Sequence, residues 1–368
     1  MSITSKSPRA VGLEALKVAE ETLPLYWHRF SPRKFTVAQL FACLVLKAFF
    51  KTDYRGIAVI LADLPDLTQS LGMSSVPHFT TLQKNALRLL SFAPANQLLE
   101  TTVHRHLGEH PTIELAAIDS TGLETSQVSP YFVRRRSRDK DARNPWQTTT
   151  YTRYPKLQLV CDCNTHLALA AMPETGPSPD VSRYQAVLWL TLVCSFVRVL
   201  LADAGYDSEP NHVFARENCF VRSIMPATHG RPLLDPTQSL RGRYRQQMRQ
   251  HRDYRYGQRW QIESVFSMIK RRLGAVVLGR SDNTRNAEMM LKVLTHNIMI
   301  LALLISEVIY RAGQVGLCAS FLSYRYPRCP QDKHLLPGLR ENSSRRATRK
   351  SGKTFIFYPR TQELRAAS

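Results

Sequence analysis

Asp119 closes the apolar run LAAI, and Asp203 closes VRVLLA. Each carboxylate therefore stands where a buried strand would emerge at the end of a sheet, which is where open α/β sheets build their sites. A turn is the alternative for both, since Asp119 precedes Ser-Thr-Gly and Asp203 precedes Ala-Gly, contexts in which aspartate caps a loop. A third acid, Glu263, lies in YGQRWQIESVFSMIK, residues 256–270, a run of helical periodicity crowded with cations. At about 100° per residue, Tyr256, Arg259, Glu263 and Lys270 fall within an arc of about 60°. Ile262, Phe266, Ile269 and Leu273 form an adjoining apolar stripe, so the polar arc borders the core. An ordinary ion pair between Arg259 and Glu263, four residues apart, would account for Glu263 alone and is worth a few tenths of a kcal/mol.

Taken together, the three acids fit one chemistry. Cleaving a phosphodiester within a polyanion gathers negative charge that neighbouring phosphates make worse, and hard divalent cations relieve it. Three carboxylates from three elements suffice to hold two Mg²⁺ ions, or Mn²⁺ in their place, one at the attacking oxygen and one at the leaving oxygen. On this reading Asp119, Asp203 and Glu263 are metal ligands. Arg259 and Lys270 are then aimed at phosphates and not at the acid itself.

The charge balance agrees. Lys and Arg number 50 against 29 Asp and Glu in 368 residues, a formal charge of +21 that suits a polyanionic partner better than a neutral metabolite. A ribosomal-type or membrane-surface protein is the other class such a balance allows. No amphipathic basic helix stands out, and the most apolar segment, NIMILALLIS at 297–306, is shorter than the roughly 18 residues a span needs. No secretory signal opens the chain, so nucleic acid is the expected partner, without a membrane, in the cytoplasm. Of seven cysteines, Cys161 and Cys163 share one face of a strand and read as reduced packing residues. His104, His106 and His110 lack cysteine or carboxylate neighbours at ligand spacing and read as a solvated helix end.

The elements that must position the acids can be placed in outline. Residues 1–110 read as helical: FTVAQLFACLVLKAFF is apolar almost all round, and helical periodicity resumes in PHFTTLQKNALRLL, either a DNA-reading helix or a plain bundle helix. After Pro111 come the β-type runs IELAAIDS, KLQLVCDC and HLALAAM, the last two joined in a hairpin through CDCNTH. A helix through YQAVLWLTLVCSF, the buried strand of VRVLLADAGYDS, a helix near NHVFAREN and a strand in FVRSIMPA follow, and a long helix covers 286–310. This order describes an α/β fold with a mixed sheet flanked by helices and a helical N-terminal domain. A polar, Arg-rich insertion spans 228–255, and the basic residues beyond 324 are expected to be disordered. Residues 134–156 hold eight Lys or Arg against two Asp, and 241–259 hold seven Arg against one Asp. Both stretches interleave aromatics, as backbone binding and base stacking would use, although charge runs are more often solvated faces.

The spacing Tyr256-x2-Arg259-x3-Glu263-x6-Lys270 resembles, in all four positions, the tyrosine-arginine-glutamate-lysine signature of DDE transposases encoded by bacterial insertion sequences. IDSTG around Asp119 and LADAGYDS around Asp203 are similar to that group's first and second acidic motifs. The likeness covers roughly residues 110–310. It implies a ribonuclease-H-like catalytic domain at 111–323, with Asp119, Asp203 and Glu263 as a metal-binding triad on two Mg²⁺ ions. Tyr256, Arg259 and Lys270 would contact phosphates at the transposon end. Trp260 stands where relatives place an aromatic beside the cleaved end, or is a partly buried core residue. The resemblance further implies binding of terminal inverted repeats by residues 1–110, cleavage and strand transfer on double-stranded DNA, a homodimer on paired ends and a nucleoid-associated bacterial protein. A structure-specific nuclease of the same fold and a non-catalytic DNA-binding derivative are the competing readings.

Overall fold

A computed structural model describes residues 3–125, 153–227, 241–250 and 253–314, with side chains up to residue 303 except that of Gln250. The basic stretch 134–152, residues 228–240 of the insertion and the tail beyond 324 lie outside the described residues.

Six helices precede the sheet: α1 (Pro8–Thr22), α2 (Val37–Phe49), α3 (Tyr54–Asp63), α4 (Pro65–Ser70), α5 (Phe79–Leu89) and α6 (Phe92–Leu107). Local chemistry fixes their starts. Ser7 accepts from the Ala10 N–H ahead of Pro8, and Thr36 and Gln39 cap α2 reciprocally, each side chain serving the other's backbone N–H. The all-round apolar α2 is buried over almost its whole length, as a central helix of a bundle must be.

The strands follow: β1 (Thr112–Ile113), β2 (Ala116–Gly122), β3 (Glu124–Thr125), β4 (Tyr154–Asp162), β5 (Ala168–Gly176), β6 (Phe196–Val197), β7 (Val199–Ala202), β8 (Arg222–Ile224) and β9 (Val276–Val277). Between them lie α7 (Tyr184–Cys194), α8 (Glu209–Val213), α9 (Arg243–Gln250) and α10 (Trp260–Leu273), and α11 (Asp282–Gln314) comes last. Five strands form one sheet in the order β5-β4-β2-β7-β8. β4 runs antiparallel to both its neighbours, β5 and β2, and the last two strands run parallel to β2. This is the mixed, helix-flanked sheet that the sequence predicts.

Strand alternation gives the sheet two apolar faces. Ala117, Leu157, Leu159 and Cys161 point toward α10 and α11, in one cluster with Phe41 of α2 and Leu98 of α6. Ile118, Val160, Leu200 and Ala202 point the other way, onto Tyr184, Val187 and Leu188 of α7. Cys161 and Cys163 are buried free thiols on the first face, as expected. His104 and His106 are half-buried, and His104 Nε2 lies 3.0 Å from the Cys194 carbonyl, so this helix end packs against its neighbours instead of standing free in solvent. Among the described residues no helix is long and apolar enough to cross a membrane.

Polar groups sit inside α11 where the apolar run begins. His296 is 2% exposed, its Nε2 3.0 Å from the His166 carbonyl, and burial holds its pKa down at about 4. A folded-state pKa below the ordinary 6.5 means that protons bind the unfolded chain more tightly. Stability is then lost as pH falls from about 6.5 toward 4, by at most roughly 3 kcal/mol from this group. Denaturant midpoints at pH 7 and pH 4.5, for the wild type and His296→Gln, measure it. An identical acid shift in both proteins would refute the assignment.

Candidate active site

β2 and β7 pair in parallel through Ile118 and Ala202, and the ladder stops there. The next residue in each segment is an acid, so Asp119 and Asp203 follow directly on the end of that ladder. Alternation turns Asp119 toward the face covered by α10. That helix is held in place by its stripe of Ile262, Val265, Phe266, Ile269 and Leu273 against the core, and beyond it β9 pairs with β3, the continuation of β2 past Gly122. Helix and strand are thereby tied together at the end where the acids lie.

Asp119 does not end its strand. Residues 119–122 remain paired with β4, Asp119 opposite Leu159 and Gly122 opposite Lys156, because only the β7 ladder terminates. The turn reading of Asp203 is met: it caps a 3₁₀ turn, Ala204–Tyr206, its carboxylate accepting from the Gly205 N–H at 3.3 Å.

Arg259 joins two of the acids. Its Nη1 lies 3.0 Å from Asp119 Oδ2 and its Nη2 2.6 Å from Glu263 Oε1. Arg259 therefore does face the acid, contrary to that part of the expectation, and pairs with Asp119 and Glu263 together. Burial pushes the Asp119 carboxyl above its ordinary range. The Ser120 N–H at 2.7 Å and the Arg259 charge pull it back, while the charges of Asp203 and Asp180 push the same way as burial. A carboxylate so placed needs a nearby cation, and here the guanidinium supplies it.

Other expected residues fall around this bridge. Tyr254–Arg259 form a 3₁₀ turn and α10 begins only at Trp260, so the common arc does not extend over one continuous α-helix. The tighter winding, about 120° per residue, swings Tyr256 relative to Glu263. Tyr256 packs against the core cluster, and burial raises its hydroxyl pKa. Lys270 Nζ donates to Thr121 Oγ1 at 2.6 Å, on the same face of β2 as Asp119. Trp260 is 53% exposed, which sets aside its reading as a core residue.

Among the described residues no group of three acids, histidines or cysteines stands at metal-ligand spacing. Glu263 is 57% exposed and engaged by Arg259. The donor set nevertheless fits hard divalent ions: carboxylate oxygens, two of them already sharing one cationic group that occupies the place of a counter-ion.

The sequence reading missed a buried network on the opposite face. Lys156 Nζ lies 2.7 Å from Asp180 Oδ1 and 3.7 Å from Glu174, and Arg183 reaches Glu174 at 3.0 Å. Gln158 Nε2 donates to Glu174 at 2.9 Å. Lys156, counted in the basic stretch, is therefore a buried ion-pair partner and is not presented to a nucleic acid. A Lys and a Gln two apart in an otherwise apolar strand were the available signal. The described part of the Arg-rich insertion is likewise engaged. Arg245 in α9 binds Asp207 at 2.8 Å, and the Tyr244 and Arg245 N–H groups donate to Glu209, fastening the helix to the loop that follows Asp203.

Among solved structures the chain is similar to a piggyBac transposase in a synaptic complex with hairpin DNA, at 13% identity over 82% of this chain and 73% of that one, TM-score 0.40. It is also similar to the Mos1 mariner paired end complex with Mn, at 12% identity over 58% of this chain and 65% of that one, TM-score 0.18. No curated protein sequence matches it. The family model described as Transposase DDE domain matches residues 110–298, a span that contains Asp119, Asp203 and Glu263. The chain belongs to the DDE transposase family, whose members are DNA-cleaving and strand-transferring enzymes.

Proposed function

We propose that this transposase binds the terminal inverted repeats of a bacterial insertion element, cleaves there to free a 3′-hydroxyl and directs that hydroxyl at a target phosphodiester, without a covalent protein–DNA intermediate. The observation that carries the reading is the emergence of Asp119 and Asp203 at one ladder end, with Glu263 linked to Asp119 through a single guanidinium. Asp119, Asp203 and Glu263 would hold two divalent ions, Mg²⁺ or Mn²⁺. Such ions offset the charge that develops on the attacking and leaving oxygens. With ions held by the carboxylates, the Arg259 guanidinium would be free to meet a backbone phosphate beside Tyr256, Trp260 and Lys270.

The N-terminal region, 1–110, reads the repeats in this account. α5 supports it: Gln83, Lys84, Leu87 and Arg88 are exposed on one side, while Leu82, Ala86 and Leu89 are buried on the other. Residues 111–323 form the catalytic domain, residues 324–368 a basic tail, and two copies act on paired ends in the cytoplasm at the nucleoid.

Incubating the protein with repeat-containing DNA and a target plasmid tests the function. Joined products support it, whereas cleavage that never leads to joining would favour a structure-specific nuclease. Arg259→Ala is expected to lower the slope of log affinity for repeat DNA against log salt by about one unit, one phosphate contact. An unchanged slope would mean that Arg259 serves the acids alone.

A further inference from the structure

On the side of the sheet away from the three acids, the outer face of α7 carries Ala186, Trp189 and Val193, and YQAVLWLTLVC contains no Lys, Arg, His, Asp or Glu. Its inner face is already committed, with Tyr184, Val187 and Leu188 packed on the sheet. Trp189 is 62% exposed and Val193 58%, and they adjoin Phe196 of β6 at 46%. With Cys219 these side chains border an open cleft of about 340 Å³.

Beside the cleft stands Phe220, 77% exposed. Its backbone has φ +57°, a conformation that residues other than glycine rarely take. The flanking hydrogen bonds, Cys219 N–H to the Phe214 carbonyl at 3.0 Å and Val221 N–H to the Ala215 carbonyl at 2.7 Å, fix the segment on both sides. This exposed aromatic is thus held out by a structured turn.

We propose that this face is a homodimer interface, with α7 of two copies packed across a two-fold axis and Phe220 of each entering the cleft of the other. Three features single out a second copy. An isologous contact needs a projection and a hollow within one patch, and Phe220 and the Trp189–Phe196 cleft supply both. The exposed parts of Trp189, Val193, Phe196 and Phe220 come to roughly 500 Å² per copy, so that a pair reaches about 1,000 Å², where specific interfaces begin. Two molecules of charge +21 repel each other, and a patch without Lys or Arg is where they approach at least cost. Arg198 and Arg222, two residues from Phe196 and Phe220, are engaged by Glu114 and Asp253, so the apolar patch itself offers DNA phosphates no Lys or Arg. The inference rests on the reading that two copies act together, and it leaves the face of the acids free for DNA.

Sedimentation velocity on the full chain without DNA or metal tests it, so that its outcome does not depend on catalysis. The wild type should dimerise with a dissociation constant of about 1 µM or tighter. Trp189→Glu and Trp189→Lys should each weaken this about 100-fold or more with unchanged thermal midpoints, and an equimolar mixture of the two should recover the dimer. A wild type that stays monomeric at tens of micromolar would overturn the proposal, as would variants that dimerise unimpaired. Phe220→Asp, at an exposed turn, repeats the test if the Trp189 variants fail to fold, and its failure to disrupt the dimer would also overturn the interface.

Discussion

Asp203→Asn lowers the rate of repeat-end cleavage by about 10³-fold or more and leaves the fold intact. The substitution separates the cap that the structure shows from the ion-ligand role proposed for this side chain. As a cap, Asp203 needs only an oxygen to accept the Gly205 N–H, and an asparagine of the same size keeps it. As an ion ligand it needs the negative charge, which asparagine lacks. Losing one anionic ligand in a two-ion site forfeits several kcal/mol of transition-state stabilisation, and each 1.36 kcal/mol is a factor of ten. Single-turnover cleavage in Mg²⁺, read beside the thermal midpoint, makes the measurement. An unchanged rate with an unchanged midpoint would reduce Asp203 to a turn former and leave the chain a DNA-binding derivative of its family.

Asn297→Leu is expected to destabilise the protein by about 3–5 kcal/mol. Asn297 is fully buried; its Oδ1 accepts the Ala168 N–H at 2.9 Å, and its Nδ2 donates to the Ala168 carbonyl at 2.8 Å and to Thr102 Oγ1 at 2.9 Å. Ala168 begins β5 next to the irregularity in its pairing with β4, and the amide there completes backbone bonds that the strands leave open. Leucine fills the volume but strands the buried Ala168 N–H and carbonyl, each costing about 1–3 kcal/mol, while Thr102 keeps its bond to the Leu99 carbonyl. Urea unfolding at neutral pH would show the loss as a lower midpoint at constant slope. A change below about 1 kcal/mol would mean that water replaces the amide.

What could be read from the sequence followed from local pattern. The runs LAAI and VRVLLA announce buried strands, and an acid directly after an apolar run marks where the strand leaves the core, so Asp119 and Asp203 were legible. The stripe of α10 was legible too, since its 3.6-residue period belongs to one segment. What escaped depends on partners distant in the chain. That β2 continues past Asp119 is decided by its antiparallel partner β4, which no run of residues 116–122 encodes. The Arg259 bridge to Asp119 spans 140 positions. Lys156 looked like a DNA contact because the hairpin and the 3₁₀ turn that bring Glu174 and Asp180 to it are invisible to a charge count.

One buried cluster takes in side chains of α1, α2, α5 and α6 together with β4, α10 and α11. The N-terminal helical region therefore has no apolar boundary at which it could be cut away and exchanged. A chimaera that grafts a foreign head at residue 110 would leave the underside of α11 bare and aggregate before it found a new recognition sequence. If α5 reads the repeats as proposed, retargeting would have to proceed by replacing its outward-facing side chains, Gln83, Lys84, Leu87 and Arg88, one at a time.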